Sequence, residues 1–336
     1  MRKASVISVI VAGVIIIAGI IVCAFGGAYA KKDNFMLFPA SENGESVYKY
    51  DFTGQEIARI SITTEDADVY FKRGGESSYI EIYNFNANYY KLSSENNLIT
   101  FTQVSDVASM FKFWEGGFSF KGMRYIFRFD ADKDENRRVV VNLAEGTQIP
   151  AISVASETGK TVISSMSLTS DVTLNLAGAS AVLDKVTLDG TLAVSSNAGS
   201  LAVKDSSFSS FFITGASAEA SVSGVQADLC RWEMKSGKVS AENVTAAEFA
   251  ISTNDAQVSV KNLLSDKISA ISVSGQLVFT LADSLDSHSG ELTSKSGAIF
   301  ADGVHYTSSF TLPGDDGERT LNVTSDSGSV SVEGAK

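Results

Sequence analysis

The sequence has little proline, cysteine and histidine, and these shortages exclude several kinds of protein. Only three prolines occur among 336 residues, so no proline-rich linker divides the chain. Cys23 lies in an apolar N-terminal segment and Cys230 stands alone, so the two cysteines supply neither a disulfide framework nor a metal site. The two histidines, His288 and His305, belong to no catalytic or metal-binding motif. We therefore predict no metal and no other cofactor.

An excess of acidic side chains limits the partners of the protein. The 39 Asp and Glu residues outnumber the 27 Lys and Arg residues, which gives a net charge of −12. Such a surface repels phosphate backbones, so we predict no nucleic-acid binding. The hydrophobic fraction of 44% and the charged fraction of 20% suit a folded body that is exposed to water.

A long apolar run near the N-terminus predicts a membrane partner. The run "VISVIVAGVIIIAGIIVCAF" supplies about twenty apolar positions, which is the length that a helix needs to cross a bilayer. A cleaved signal peptide is the alternative, because Ala28-Tyr29-Ala30 matches the small-x-small cleavage pattern, although signal peptides usually have shorter apolar regions. We favour an uncleaved single-pass anchor over residues 1–30, followed by a linker over 31–46. Arg2 and Lys3 precede the run and Lys31 and Lys32 follow it, so the positive charges do not set its orientation. We expect the C-terminal body outside the cytoplasm, because an N-terminal anchor usually leaves a large C-terminal body outside.

A phrase of about 19 residues repeats through the second half of the sequence. Each repeat begins with a small residue, which is followed by a run of alternating apolar and polar residues. The side chains two and four positions after the small residue are predicted to point inward. Alternation with a period of two is typical of β-strands, and no stretch shows a sustained apolar stripe at helical spacing. The markers of the repeat are Gly159, Gly178, Gly199, Ala218, Gly237, Ala256, Gly275, Gly297 and Gly328.

The length of this repeat favours one all-β architecture. A period near 19–20 residues is too short for a propeller blade and suits one rung of a parallel β-helix, in which each rung hydrogen-bonds to the next. We therefore predict a parallel β-helix (β-solenoid) preceded by one N-terminal transmembrane helix, with a β-sandwich as the alternative. Residues 47–150 would form N-terminal β rungs, and residues 151–336 would continue the same domain as a regular solenoid.

Glycine recurs at the predicted corners, where a repeatedly turning chain is expected to need positive φ. The residues predicted to have this structural role are Gly159, Gly178, Gly199, Gly237, Gly275, Gly297 and Gly328. The corners at Ala218 and Ala256 are expected to differ, because alanine adopts positive φ less readily.

Two stretches resemble the bacterial "putative adhesin" family, a domain-of-unknown-function group. The segment "VYKYDFTGQEIARISITTEDADVYFKRGG" (47–75) is similar to its opening, and "RRVVVNLAEGTQIPAISVASETGKTVIS" (137–164) is similar to its central phrase. The sequence departs from the family at 143–146, where the family often has a proline after the strand. The resemblance implies a membrane span before a β-helical body, and it supplies no catalytic residue.

Residues 104–129 interrupt the repetition with an aromatic insertion. Its candidate partner-contact residues are Phe111, Phe113, Trp114, Phe118 and Phe120. An exposed aromatic patch would contact a protein, a glycan or the bilayer surface. The alternative, which we favour, is a cap that covers the open end of the solenoid against edge-to-edge pairing.

The acidic stretch after this insertion is similar to the start of a calcium-binding loop. Asp130, Asp132 and Asp134 stand at alternate positions, but Glu135 replaces the required glycine and Val141 replaces the terminal glutamate. A solvated acidic turn is therefore favoured over a weak calcium site.

The sequence predicts a protein that binds and does not catalyse. No G-x-S-x-G, H-E-x-x-H or phosphate-binding glycine loop occurs, and the outward positions of the repeats are mostly Ser, Thr, Asn and Ala. Many shallow polar sites suit weak multivalent contact. We expect adhesion or contact with an envelope protein or glycan at the cell surface. The alternatives are an accessory of envelope-stress signalling that binds a membrane partner, a self-assembling scaffold and, less favoured, a glycan-processing β-helix enzyme.

Overall fold

The computed structural model describes residues 47–85, 90–104, 137–314 and 319–335. The chain divides into two compact units, Met1–Ser46 and Val47–Lys336, of which the second contains all the described residues. Within these ranges, no helix has the length and apolar character needed to cross a membrane. The predicted anchor (1–30) and linker (31–46) lie outside the described residues.

The described part of the chain is built from strands, with one short 3₁₀ helix at Leu285–Ser287. The N-terminal strands are β1 (Val47–Asp51), β2 (Arg59–Thr64), β3 (Asp68–Arg73), β4 (Tyr79–Tyr83), β5 (Tyr90–Glu95), β6 (Leu98–Gln103) and β7 (Arg138–Leu143). The central strands are β8 (Ala151–Ser156), β9 (Lys160–Leu168), β10 (Asp171–Leu176), β11 (Ser180–Ser196), β12 (Ser200–Thr253), β13 (Gln257–Ser272) and β14 (Leu277–Leu281). The C-terminal strands are β15 (Ser289–Ser294), β16 (Ile299–Ala301), β17 (Val304–Tyr306), β18 (Ser309–Pro313), β19 (Thr320–Ser325) and β20 (Val330–Glu333). The predicted all-β fold is confirmed.

Parallel pairing at an offset of 19 or 20 residues produces two long faces. Face A contains β8, β10 and the later segments of β11, β12 and β13, in which Val172 pairs with Ile152 and Leu192. Face B contains β9, the earlier segments of β11, β12 and β13, and β14, in which Val182 pairs with Val162 and Ala202. Inward side chains on both faces form one continuous apolar core, while the alternate side chains point outward.

A third, shorter face closes the central rungs. On this face Leu188 pairs with Leu168 and with Phe208. The chain enters the face through a residue with positive φ, and these residues recur every 19 or 20 positions at Ser165, Lys185, Asp205, Gly224, Asn243 and Asn262. The left-handed corner is therefore occupied mainly by polar residues, and glycine takes it once.

The glycines that were predicted at the corners do not lie at the left-handed corner residues. The expectation that they have positive φ is wrong for all of them except Gly237. All of them except Gly178 belong to a column in which a Cβ atom would collide with the backbone of a neighbouring rung. A Cβ on Gly199 would lie 2.0 Å from the carbonyl oxygen of Ala179, and a Cβ on Gly237 would lie 2.1 Å from that of Ala218. Glycine is therefore required by the close approach of two backbones. The column consists of Ala67, Gly159, Ala179, Gly199, Ala218, Gly237, Ala256, Gly275, Gly328 and Gly297.

Gly178 is not a member of this column, and its predicted alignment is wrong by one residue. Ser180 pairs with both Lys160 and Ser200, so Ala179 is the residue that aligns with the neighbouring glycines. The inward pair of this rung is Ala181 and Leu183, whereas the other predicted inward pairs are buried as expected.

In several rungs, a buried hydroxyl group stabilises the turn that leads to the column residue of the same rung. Ser196 accepts a hydrogen bond from the Gly199 N–H at 3.1 Å, and Thr253 accepts one from the Ala256 N–H at 2.8 Å. The side chain of Ser325 instead donates to the carbonyl oxygen of Gly328 at 2.9 Å. In these rungs a buried Ser or Thr therefore lies three residues before the Gly or Ala of the column.

The rungs at both ends do not follow the order of the sequence, which corrects the expectation that each rung pairs with the next. β2 lies between β6 and β8, and β3 lies between β7 and β9. At the other end, β19 lies between β13 and β15, and β20 lies between β14 and β16. The first rung in the sequence (β2 and β3) is therefore the second rung of the stack. The last rung in the sequence (β19 and β20) is the second rung from the other end.

Antiparallel strands cover the parallel edges at both ends. β4 pairs with β7, β1 pairs with β4, and β5 pairs with β6 at the N-terminal end. β17 and β18 pair with β16 and β15 at the C-terminal end. Tyr90 stacks on Phe101 at a centroid distance of 5.6 Å, so aromatic packing completes the N-terminal cap. These short edges disfavour growth of the ladder by end-to-end pairing.

Candidate functional site

The two motifs that the sequence singled out before β7 lie outside the described residues. The aromatic candidates Phe111, Phe113, Trp114, Phe118 and Phe120 fall in the undescribed range 105–136, as do the alternating aspartates Asp130, Asp132 and Asp134. The range follows Val104, directly after β6, and ends before Arg137, next to β7. Both predictions therefore stay predictions.

The outward surface of face B is formed mainly by short side chains. Its central column begins at Tyr70 and continues in register through Val162, Val182 and Ala202. Farther along, Ser240 pairs with Ser259 at the same position of the strand. Short side chains along this column leave a trough that is open to a partner.

The trough contains a depression near its middle. A shallow depression of about 320 Å³ is lined by Val182, Ala202, Ser221 and Ser240, with Glu219 and Lys238 among its polar side chains. The depression therefore offers small apolar groups, hydroxyl groups and one charge of each sign. Such a lining can hold a polar chain by several weak contacts.

Charged side chains along the outer part of face B are paired across rungs. Asp184 stands opposite Lys204, and Glu242 stands opposite Lys261. Opposite charges at directly opposed positions favour this register over one that is shifted along the strand.

The N-terminal end of face B has a group of aromatic and cationic residues, the tyrosine–cation surface, which consists of Lys49, Tyr70, Tyr79, Tyr83 and Arg138. The Lys49 ammonium lies 3.5 Å from the Tyr79 ring centroid, and the Arg138 guanidinium carbon lies 4.1 Å from the Tyr83 ring centroid. Both distances are within the range of cation–π attraction. All three tyrosines alternate with buried residues along their strands, so their rings lie on the outer side of the sheet.

Hydrogen bonds orient two of these phenols. The Tyr83 hydroxyl donates to Oε2 of Glu81 at 2.7 Å, and the Tyr70 hydroxyl donates to Oδ2 of Asp68 at 3.1 Å. Burial, with the adjacent Glu81, raises the pKa of Tyr83 to about 12, and burial together with Asp68 raises the pKa of Tyr70. The phenols therefore stay neutral at physiological pH and present rigid, amphipathic rings.

Sequence reasoning missed the tyrosine–cation surface for a physical reason. Tyr48 and Tyr50 on β1 face the core side, whereas Tyr79 and Tyr83 on β4 face outward, and only the strand register separates the two sets. Lys49 and Tyr79 meet because β1 and β4 are antiparallel neighbours. The alternation in "VYKYD" and "YIEIY" was the available signal, but it does not reveal the partner strand.

The two histidines lie near the C-terminal end and do not approach each other as a pair in a site. His305 packs beside Phe300 with ring centroids 5.2 Å apart. His288 is buried, and burial lowers its pKa. Across the described ranges, no group of three or more His, Cys, Asp or Glu side chains could hold a metal ion.

Together these features define an all-β solenoid with an extended outward face. The chain belongs to the Toastrack DUF4097 family, whose model matches residues 57–333. This match confirms the family that the sequence resembles. The comparison with curated proteins gives no match.

Solved structures of bacterial proteins resemble the chain at low identity. One, described as a "putative adhesin" from Parabacteroides distasonis, has 12% identity and a TM-score of 0.48, and the match covers 86% of this chain and 97% of that one. A "putative adhesin" from Parabacteroides merdae has 11% identity and a TM-score of 0.46, with 86% and 96% covered. A "putative lipid binding protein" from Parabacteroides distasonis has 13% identity and a TM-score of 0.45, with 86% and 97% covered.

Proposed function

We propose that the protein is a non-catalytic, membrane-anchored solenoid that contacts glycans of the cell envelope or of a neighbouring surface through face B. The observation that supports this role most is the continuity of the central column, which connects Tyr70 of the tyrosine–cation surface with Val182 and Ala202 in the depression. The proposal agrees with the adhesion or envelope contact that the sequence predicts.

The chemistry of face B suits a polar, extended ligand. Aromatic rings with fixed orientation provide apolar contact area at low entropic cost, and hydroxyl groups provide hydrogen bonds. Neighbouring rungs repeat these groups about every 4.8 Å, so a long ligand meets several equivalent weak sites. Multivalent contact of this kind reaches useful strength without a deep pocket.

The first experiment tests binding through the depression. The chain with Ala202→Arg should bind insoluble cell-wall glycan about fivefold more weakly than the unmodified chain, because the long side chain fills the depression. Ala193→Arg is the matched control, since Ala193 is an outward, half-buried residue on face A in the preceding rung. Equal co-sedimentation of both variants with the glycan would contradict the proposed surface.

A second variant tests the tyrosine–cation surface. Tyr79→Ser removes the ring beneath Lys49 and should weaken glycan binding while changing the melting temperature little, because Tyr79 is only half-buried. Phe212→Ser is the control, since Phe212 is an outward, half-buried aromatic residue on face A. Loss of binding in both variants would point to a general contribution of exposed rings.

The proposed location is tested by protease accessibility. If the body lies outside the cytoplasm, protease added to intact cells or spheroplasts should digest it while a cytoplasmic control protein survives. Protection until lysis would contradict the extracytoplasmic location and would favour an intracellular scaffold. If crosslinking gave one dominant membrane protein, the result would instead favour the alternative function, an accessory of envelope-stress signalling that binds a membrane partner.

A further inference from the structure

Two outward pairs at the N-terminal end of face B combine opposite charges. Lys49 on β1 stands opposite Glu81 on β4, and the Lys49 Nζ lies 3.9 Å from Oε1 of Glu81. Arg138 on β7 stands opposite Asp68 on β3. Each pair joins one cation with one carboxylate, so these four side chains by themselves would leave the surface neutral.

Lys160 adds a cation that this balance does not include. It is exposed at the start of β9, and its backbone N–H donates to Oδ1 of Asp68 at 2.9 Å. The other carboxylate oxygen of Asp68 accepts the Tyr70 hydroxyl at 3.1 Å. The Asp68 carboxylate therefore lies between two cationic residues, Arg138 and Lys160, and both of its oxygens already accept hydrogen bonds.

Lys72 supplies a second surplus charge on the other side of Tyr70. It is exposed, lies two residues after Tyr70 on β3, and stands opposite the uncharged Asn142 on β7. Within the ranges that the structure describes, neither Lys72 nor Lys160 forms an ion pair. Both lysines therefore present their ammonium groups to a partner in solution.

Tyr70 and Val162 form the floor of the trough between these lysines. The two residues pair across β3 and β9 in the central column, and both are half-buried. Lys160 lies two residues before Val162, and Lys72 lies two residues after Tyr70. The lysines are thus separated by about four residues along the strand direction, or about 13 Å. At this point the trough has an apolar floor between two cationic sides.

The later rungs of face B do not repeat this surplus. Lys204 stands opposite Asp184, and Lys238 lines the depression together with Glu219. The whole chain has a net charge of −12, so the positive surplus beside Tyr70 is local. An anionic ligand is therefore attracted to this end of face B and repelled by the acidic remainder of the body.

We propose that this end of face B binds a carboxylated glycan, whose sugar rings lie on Tyr70 and Val162 and whose carboxylates lie beside Lys72 and Lys160. The inference rests on the glycan contact proposed above and names the class of glycan. A chain of uronic acids alternates rings with charges, and the surface offers a cation, a ring-sized floor and a second cation in the same order. The oriented Tyr70 ring supplies apolar contact area, and each exposed ion pair contributes about threefold in affinity.

Polygalacturonate and its methyl ester test the charge requirement, because they share one sugar backbone and differ in the charge of the carboxyl group. Labelled oligomers of both are titrated with the full chain in detergent at pH 7, and fluorescence polarisation gives the two values of Kd. We expect the chain to bind the polygalacturonate oligomer about tenfold more tightly than the ester. Salt at about 1 M should remove this preference, because the Debye length falls to about 3 Å.

Substitutions assign the preference to the two lysines. Lys72→Gln combined with Lys160→Gln should weaken binding of the polygalacturonate oligomer about tenfold and leave binding of the ester unchanged. Lys72→Arg combined with Lys160→Arg should retain the preference, because the charges remain. Lys91→Gln is the matched control, since Lys91 is an exposed lysine at the same end of the stack on β5, which pairs with β6 and not with face B in the described ranges.

Equal values of Kd for the two oligomers, or no binding of either, would overturn the proposal. An equal loss of binding in Lys91→Gln and in the double glutamine variant would overturn it as well. Co-sedimentation with cell-wall glycan separates these results from a failure of the proposed function. If the chain sediments with that glycan but does not prefer the polygalacturonate oligomer, glycan contact stands and the charged class is wrong. If it prefers the oligomer but does not sediment, the anionic site stands and contact with the cell wall is wrong.

Discussion

The column of alanine and glycine residues gives the sharpest test of the fold. In Gly199→Ala the new Cβ would lie 2.0 Å from the carbonyl oxygen of Ala179, and real Cβ contacts are essentially never shorter than 3.0 Å. The two rungs would have to separate by about 1 Å, against a normal strand spacing of about 4.8 Å. The same carbonyl accepts the Ser200 N–H at 3.2 Å, so the separation also weakens this hydrogen bond.

The expected cost follows from these two effects. Overpacking of a buried site costs about 1–3 kcal/mol, and a weakened buried hydrogen bond adds about 0.5–1.5 kcal/mol. We expect Gly199→Ala to lower the free energy of unfolding by about 2 kcal/mol or more. This corresponds to a fall in Tm of about 4–8 °C for a domain of this size class.

Gly178→Ala is the matched control. A Cβ at Gly178 would lie 3.3 Å from the carbonyl oxygen of Glu157, a contact that small adjustments relieve. The lower entropy of the unfolded alanine chain offsets part of the cost, so the net change should be within about 0.5 kcal/mol. Thermal unfolding followed by circular dichroism measures both variants. Equal Tm values for the two variants would refute the assignment of the column.

Three further predictions concern buried polar and titratable groups. Thr253→Val should lower the free energy of unfolding by about 1–2 kcal/mol, because the buried Ala256 N–H loses its acceptor. Unfolding by urea measures the change. An unchanged free energy of unfolding would show that another acceptor is available to this N–H. Burial lowers the pKa of His288, so the contribution of this residue to stability is complete above the ordinary pKa of 6.5 and is lost as the pH falls below it. The fall in Tm from pH 8 to pH 5 should therefore be smaller in His288→Asn than in the unmodified chain. Equal falls would exclude this role. Burial raises the pKa of Cys230 to about 12, so iodoacetamide at pH 8 should label it only after unfolding, and rapid labelling of the folded chain would contradict its burial.

Local regularities in the sequence were sufficient to predict the type of fold. The inward pairs, such as Val258 and Val260 in β13, followed from strict alternation, and the rung length followed from the spacing of small residues. The position of Gly178 shows where this reasoning fails. Two small residues, Gly178 and Ala179, are adjacent, and only pairing with Lys160 and Ser200 shows which one lies in the column.

The candidate site was less predictable than the fold. The short side chains of the central column of face B could be predicted from the sequence as small outward residues. The depression could not, because it forms only where four rungs stand in register. The tyrosine–cation surface needs the antiparallel pairing of β1 with β4 and of β4 with β7. Pairing between segments that are about 30 or more residues apart leaves no periodic signal in a single sequence.

The sequence by itself determined the repeated β architecture, the rung length and the family, because alternation and turn chemistry act between residues that are close along the chain. Tertiary structure alone decided the order of the terminal rungs and which side chains meet on face B. β19 enters between β13 and β15 because its inward Leu321 and Val323 and its free backbone groups fit both neighbours at once. A choice among equivalent parallel edges depends on packing of the whole stack, and no local pattern of residues encodes it.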